Sequence, residues 1–273
     1  MIDVVIPCHP KDREVLDLCL SGCRKYIRDL RKIFVISDGL NIPDVTNIGE
    51  DGYYGNRISK ERIAEQIQRI SPDNVHRAGW LFQQFLKLAS CEAIDDLSEE
   101  YLILDSDVIF LKPIQFFKNG KPLLRPSKEF HLPYYDLLEI LFGQKITPEY
   151  SFISHHMPVV RSLLKQMLRF IERRFEQPWY QAILERIDYT KLNFSEYELI
   201  GYYLKMFCLK SFEMRTLINV QSFKWKYLPL VIFGLANYVT LHHYKHPDNN
   251  PRTSSFLYSF IYSILQRRNG SRI

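Results

Sequence analysis

The first forty residues decide the class of fold open to this chain. Ile2 to Pro7 reads IDVVIP, short, β-rich and nearly all apolar, as a strand buried on both faces would be. A loop, CHPKD, comes next. The segment REVLDLCLSGCRKYIRDL then sets Val15, Leu16, Leu18, Cys19, Cys23, Ile27 and Leu30 close to the helical period. KIFVISDG is a second buried strand, ending at Asp38-Gly39. A strand, a helix and a strand in this order predict a right-handed crossover and a parallel sheet.

The rest of the chain continues in α/β fashion. Asn41 to Gly55 is rich in Gly, Asp and Asn and reads as a long loop. SKERIAEQIQRI is a short amphipathic helix with Ile63, Ile67 and Ile70 on one face, and GWLFQQFLKLASCEAI is a stronger one. YLILDSD is a third strand, Lys112-Pro113 ends the apolar run VIFL beyond it, and KPLLRPS suggests another short strand. From Pro158 the pattern turns helical: PVVRSLLKQMLRFIERRF, PWYQAILERI and SEYELIGYYLKMF fit the 3.6 period, with Pro or Ser at their starts. LVIFGLANYVTLHHY reads as a late strand whose Gly marks a bulge, and SSFLYSFIYSILQRR as a last helix. No repeat, low-complexity stretch or linker interrupts the chain, so a single domain of 273 residues with a helical insertion in its second half is expected.

Composition narrows the partners. A hydrophobic fraction of 46% and a charged fraction of 25% are those of a globular protein with a sizeable core. The formal charge of +5 suits anionic small molecules or a membrane surface, but it is too diffuse to argue for nucleic acid. The five cysteines (Cys8, Cys19, Cys23, Cys91 and Cys208) show no paired framework, which reads as a reducing compartment. No signal peptide is recognisable, and LPLVIFGLANYVTL is too short and interrupted for a membrane span. A cytoplasmic protein is expected.

The feature that carries chemistry is Asp105-Ser106-Asp107, at the end of the apolar run YLIL. In an extended chain residues i and i+2 face the same way, so the two carboxylates can converge on one ion. Aspartate oxygens are hard ligands, suited to Mg²⁺ or Mn²⁺, and a pair at a strand end puts the ion beyond the carboxyl edge of the sheet, where α/β sheets bind ligands. There it would neutralise the charge of a bound phosphate-bearing ligand. Two other readings stand beside this one. The pair is also what a solvated Asx turn needs. It is also what haloacid-dehalogenase phosphatases use, with Asp105 as nucleophile and Asp107 as acid/base. That family starts its core with this strand, whereas here about a hundred residues precede it.

Several segments together resemble nucleotide-sugar glycosyltransferases of the GT-A fold, bacterial surface-polysaccharide members above all. They are IPCHPKD, VISDG, GWLFQQFLKLAS, LILDSDVIFLKP, SFISHHMP and FSEYELIGYY, spread from the first strand to about residue 205. The resemblance implies an α/β fold with a mixed, mostly parallel sheet flanked by helices. It implies a nucleotide-binding half over residues 1–125, an acceptor half over 126–250 and a C-terminal helix over 251–273. By analogy Pro7, His9, Asp38 and Ser106 belong to the donor pocket, although Asp38 before a Gly is equally a turn former and His9 equally an exposed loop residue. Gln84 and Lys87 lie on the polar face of their helix, either solvated or reaching ribose and phosphate. Ser154, His155 and His156 are placed near acceptor or diphosphate, and the two histidines point in different directions.

Ser195 and Glu198 fit a capping box. Glu196 is not accounted for by that box; it is either a helix-dipole partner or, by the resemblance, the catalytic base of an inverting enzyme. His243 is implied as a third metal ligand, with His242 and His246 as alternatives, and Lys245 as a diphosphate contact. The implied cofactor is Mn²⁺ or Mg²⁺, and the implied partners are a nucleotide-sugar donor and a glycan or lipid-linked acceptor. The last helix, with Ser255, Ser259 and Ser263 in a stripe and Arg267, Arg268 and Arg272 after it, either docks on the domain or lies in an anionic membrane interface. A non-catalytic carbohydrate- or membrane-binding module is the remaining alternative.

Overall fold

The computed structural model describes residues 1–221, 230–231, 233–241 and 260–265. Strand β1 (Ile2–Pro7) pairs in parallel with β2 (Leu30–Ile36) across helix α1 (Arg13–Tyr26), so the opening β-α-β unit forms. The helix stops earlier than its periodicity predicts. Asp29 takes a φ of 58° and its carbonyl accepts the Ile2 N–H at 2.9 Å, which draws Leu30 into the strand. β3 (Thr46–Ile48), inside the segment read as loop, adds to the outer side of β2. Helices α2 (Lys60–Ile70) and α3 (Ala78–Ala93) lead to β4 (Glu100–Leu104), which pairs in parallel with β1 on its other side.

Short strands β5 (Val108–Phe110), β6 (Phe117–Lys118) and β7 (Lys121–Leu124) come next, then helix α4 (Pro133–Phe142). β8 (His156–Val160) completes the main sheet, antiparallel to β4. The chain continues through helices α5 (Arg161–Phe175), α6 (Trp179–Leu184) and α7 (Glu196–Phe207), then β9 (Glu213–Met214), β10 (Asn219–Gln221) and β11 (Tyr238–Thr240). The main sheet runs β3-β2-β1-β4-β8, and two small sheets run β10-β11-β5 and β6-β7-β9. This is the mixed, mostly parallel sheet flanked by helices that the sequence predicts.

Helix periodicity predicts a helix start at Pro158; the chain instead runs as strand to Val160. Proline is tolerated there because β8 is an edge strand, paired only with β4. The helix begins at Arg161, whose guanidinium donates to the carbonyls of Cys91 at 2.7 Å, Ile94 at 2.8 Å and Leu97 at 2.8 Å. It thereby closes the carboxyl end of α3.

The pleat divides the core. Val5, Phe34, Ile36 and Ile103 face a layer built from α2 to α7, while Val4, Ile6, Val35, Leu102 and Leu104 face α1, β5 and β11. Neighbouring side chains along each strand therefore serve opposite layers. The late strand is shorter than predicted: Leu230 and Val231 are helical, and Gly234, with φ of 64°, sits in a turn rather than a bulge. Residues 260–265 are helical and bury Ile261 and Leu265 in the α1-side layer, so this stretch of the last helix docks on the domain. Among the described residues no helix is long and apolar enough to cross a membrane.

Candidate active site

The sheet order fixes where a ligand belongs. β1 has β2 on one side and β4 on the other, so the parallel sheet grows from β1 in opposite directions. At such a switch point the carboxyl ends of the strands open a crevice. Pro7 ends β1, Ser37-Asp38 lies just past β2, and Asp105 just past β4.

The two aspartates do not reach that edge as an extended pair. Strand β4 stops at Leu104, and Val108 N–H donates back to the Asp105 carbonyl at 3.2 Å. Ser106 and Asp107 lie in the resulting turn. It is the turn, not the pleat, that sets their relation. The turn is also pinned to β8, because Asp105 N–H donates to the His155 carbonyl at 3.0 Å. His155 itself sits at φ of 62°, a strained setting for a residue with a Cβ.

Asp105 is the hub of a buried network. Lys87 on α3 places its ammonium against Asp105 Oδ1 and, at 2.6 Å, against Glu196 Oε1. Tyr197 OH donates to Asp105 Oδ1 at 2.8 Å, and His155 Nδ1 lies 3.1 Å from Asp105 Oδ2. The Lys87 ammonium also rests 4.5 Å from the centre of the Tyr197 ring. Gln84, one turn before Lys87, accepts the Glu196 N–H on Oε1 at 3.1 Å. Gln84, Lys87 and Glu196 are 3%, 6% and 3% exposed, so the polar face of α3 is turned inward and is not solvated. The Gln84 Nε2 is buried without a hydrogen-bond partner among the described residues.

Charge is set by this geometry. Burial alone would raise the Asp105 pKa, but the Lys87 ammonium and the His155 ring outweigh it and hold the carboxyl well below the usual range. Burial would lower Lys87, and its two carboxylate partners drive it above its ordinary value. Burial lifts Glu196 above the usual carboxylate range against the pull of Lys87. His156 turns the other way, packed edge-on against Phe110, Phe116 and Tyr238, and burial pushes its pKa down to about 3. The two histidines do point in different directions.

The capping box is half made. Ser195 Oγ accepts the Glu198 N–H at 3.4 Å. The Glu198 carboxylate, however, takes the Phe152 N–H at 3.1 Å and the Tyr135 OH at 3.1 Å, tying α7 to the loop before β8. Of the other expected residues, Pro7 is buried and in register with Ile36. His9 is exposed and its Nδ1 accepts the Lys11 N–H at 3.2 Å. Asp38 is exposed and accepts the Glu50 N–H at 2.7 Å, so it organises the loop after β2. His242, His243, Lys245 and His246 lie outside the described residues. The roles of Tyr197 and His155 as partners of Asp105 are not visible in sequence. A Tyr in a helix of aromatic residues reads as core, and the strain at His155 belongs to the backbone.

A divalent ion is compatible with this donor set within limits. Asp105 Oδ1 already takes two donors, while Oδ2 takes one and keeps a lone-pair direction. Asp107 is partly exposed in the same turn. Two hard carboxylates in one turn suit Mg²⁺ or Mn²⁺ by their chemistry. Among the described residues no group of three or more His, Cys, Asp or Glu side chains converges as a complete site.

Comparison with solved structures places the fold. The chain aligns with the galactosyltransferase LgtC, in complex with donor and acceptor sugar analogs, at 11% identity and a TM-score of 0.50, over 97% of this chain and 96% of that one. With an active-site mutant of LgtC the identity is 13% and the TM-score 0.54, over 96% of this chain and 95% of that one. Mouse xyloside xylosyltransferase 1 aligns at 11% identity and a TM-score of 0.46, over 92% of this chain and 99% of that one. The fold is thus that of the GT-A-type glycosyltransferases. The chain belongs to the family described as a family of unknown function (DUF6492), whose model matches residues 1–219. No curated protein matches it.

Proposed function

We propose that this protein is a metal-dependent glycosyltransferase that moves a sugar from a nucleotide diphosphate to a hydroxyl of a glycan or lipid-linked acceptor. The observation that carries the reading is the Lys87 bridge. It joins Asp105, at the carboxyl end of β4, to Glu196, at the amino end of α7, two acids far apart in sequence, beside the switch point of a GT-A sheet.

Asp107, with Asp105 Oδ2, would hold Mn²⁺ or Mg²⁺, and His243 remains the proposed third ligand. When bound, such an ion supplies positive charge to the leaving diphosphate. The chain's own groups do the rest. Lys87, Tyr197 and His155 keep Asp105 ionised and oriented. Glu196 commits Oε1 to Lys87, and among the described residues nothing donates to its Oε2. That oxygen is the proposed base. It takes the proton of the acceptor hydroxyl as the acceptor oxygen bonds to the anomeric carbon and the bond from that carbon to the diphosphate oxygen breaks. Burial, which raises the Glu196 pKa, makes it the stronger base. An acceptor attack of this kind inverts the anomeric centre.

Against the phosphatase reading stands the chain order: that family starts its core with the aspartate strand, whereas three strands and three α-helices precede β4 here. Five cysteines without a disulfide fit a reducing, cytoplasmic setting. The direct test is binding of nucleoside diphosphates and their sugars with and without Mn²⁺, read by thermal shift, and then transfer to an acceptor. Transfer that persists in a chelator would refute the metal-dependent reading. No binding of any nucleoside diphosphate with Mn²⁺ would favour a module that keeps the fold without the chemistry.

A further inference from the structure

Two arginines leave neighbouring strand ends of the small sheet β6-β7-β9: Arg125 follows β7 and Arg215 follows β9. Strands β7 and β9 pair in parallel, Leu124 opposite Met214, and Arg215 N–H donates to the Leu124 carbonyl at 2.8 Å. The ladder ends there, and Arg125 and Arg215 are the residues that follow its last pair. Both charges reach the same buried ring, His156, whose proton affinity is depressed by burial and then by each arginine. Like charges held close to one group repel each other. An unneutralised pair therefore asks for a counter-charge.

The protein does not supply one among its described residues. Each guanidinium is pinned by a single carbonyl: Arg125 Nε donates to Leu217 at 3.1 Å, and Arg215 donates to Gln115. A guanidinium has five donors, so most of each fork is uncommitted. The nearest acid on the same strand, Glu213, is paired with Lys118 at 3.4 Å. Burial alone lowers the Arg215 pKa, with no carboxylate to raise it. The pair is also joined to the catalytic network. Arg125 packs 5.7 Å from the centre of the Tyr238 ring, Tyr238 OH donates to the Ser154 carbonyl at 3.0 Å, and the next residue, His155, holds Asp105.

We infer that Arg125 and Arg215 together form a binding site for a phosphate-class oxyanion beside the Asp105 turn. Two neighbouring planar forks carry two charges and match a tetrahedral dianion with three acceptor oxygens, whereas a single carboxylate is satisfied by one fork. The phosphate comes either from the nucleotide donor or from a phosphorylated acceptor, and the experiment separates these. The inference needs no glycosyl transfer and no metal.

The test is calorimetric binding to the full chain in a chelator, so that no carboxylate-held ion contributes. The probes are inorganic pyrophosphate, a panel of UDP, GDP, CDP and ADP, and farnesyl diphosphate. Arg125→Gln and Arg215→Gln should each weaken pyrophosphate roughly tenfold to a hundredfold, the loss of charge-assisted hydrogen bonds. Arg215→Lys, which keeps the charge and a donor for the Gln115 carbonyl, should weaken it less. Melting temperatures without ligand report whether each variant is folded. Parallel loss of a nucleoside diphosphate assigns the phosphate to the donor. Loss confined to farnesyl diphosphate assigns it to the acceptor. Wild-type affinity for all probes in a folded double variant overturns the inference, as does failure of the wild-type chain to bind any of them.

Discussion

Replacing Lys87 by Met keeps the length and apolar stem of the side chain and removes only the charge. The result is a buried carboxylate, Glu196, and a half-buried one, Asp105, with their shared cation gone. At 2.6 Å and an effective dielectric of ~20, the attraction between Lys87 and Glu196 is about 6 kcal/mol before desolvation is charged against it. Removing one member of a buried ion pair typically costs about 3–5 kcal/mol, because the other charge is left uncompensated. For a chain of this size that corresponds to a fall in melting temperature of roughly 6–20 °C. The pH dependence gives the sharper signature. In the wild type Asp105 is held below its unfolded value, so its contribution is present above that value, about 3.9, and is lost as pH falls through the folded pKa. In Lys87→Met the Lys87 share of that contribution goes, and only the His155 share is left. Glu196, already raised by burial, rises further. A carboxyl with a raised folded pKa stabilises below its unfolded value, about 4.3, and the benefit is lost as pH rises through the folded pKa. The gap between variant and wild type should therefore widen from about pH 5 to about pH 8, and Lys87→Met with Glu196→Gln should recover part of it. Urea unfolding monitored by circular dichroism at both pH values measures the gap. A difference below about 1 kcal/mol at the higher pH, well under the cost of an orphaned buried charge, or the same difference at both values, would refute the account of Lys87 as the compensating cation.

Asp107→Ala should abolish the Mn²⁺-dependent thermal shift by a nucleoside diphosphate while leaving the melting temperature of the ligand-free protein within a few degrees; a surviving shift removes Asp107 from the metal site. Glu196→Gln should lower transfer by roughly 10²–10⁴ with donor affinity kept, measured as turnover beside calorimetric binding. Unchanged turnover would exclude it as the base. Gly201→Ala should destabilise the protein by about 1–3 kcal/mol, because an added Cβ falls 2.2 Å from Phe152 Cγ. Chemical denaturation checks this, and Phe152→Leu in the same chain should restore part of the loss.

Short apolar runs located β1 and β2, and helical periodicity located α1, α2, α3 and α7, because both patterns are local. Boundaries failed where a contact made elsewhere decided them. Leu30 became strand through the turn at Asp29 that delivers its carbonyl to Ile2, and His156–Val160 became an edge strand because β4 offered a free ladder. Within the site, Asp105 was legible as a carboxylate at the end of an apolar run. Glu196 was legible as an acid its helix cap did not require. Gln84 and Lys87 were legible as polar residues on the face of one helix, but not as buried ones. Whether such a face meets water or a carboxylate depends on the packing of α7 over α3, which no local pattern encodes.

That packing explains why the network tolerates burial at all. Glu196 opens α7, where the unpaired amide groups of the first turn favour a negative charge. Its own N–H is taken by Gln84, and its carboxylate by Lys87, both on α3. Asp105 draws its donors from α3, α7 and the strained residue before β8. No single element supplies a complete charge set, so the site exists only when α3, β4, β8 and α7 have assembled. Its ionic pairing then specifies how these four elements meet. Loosening α7, as Gly201→Ala would do, should therefore disturb Asp105 through Tyr197 and Lys87 as well as weaken the fold. A variant that is folded yet binds donor poorly would show the two effects to be coupled.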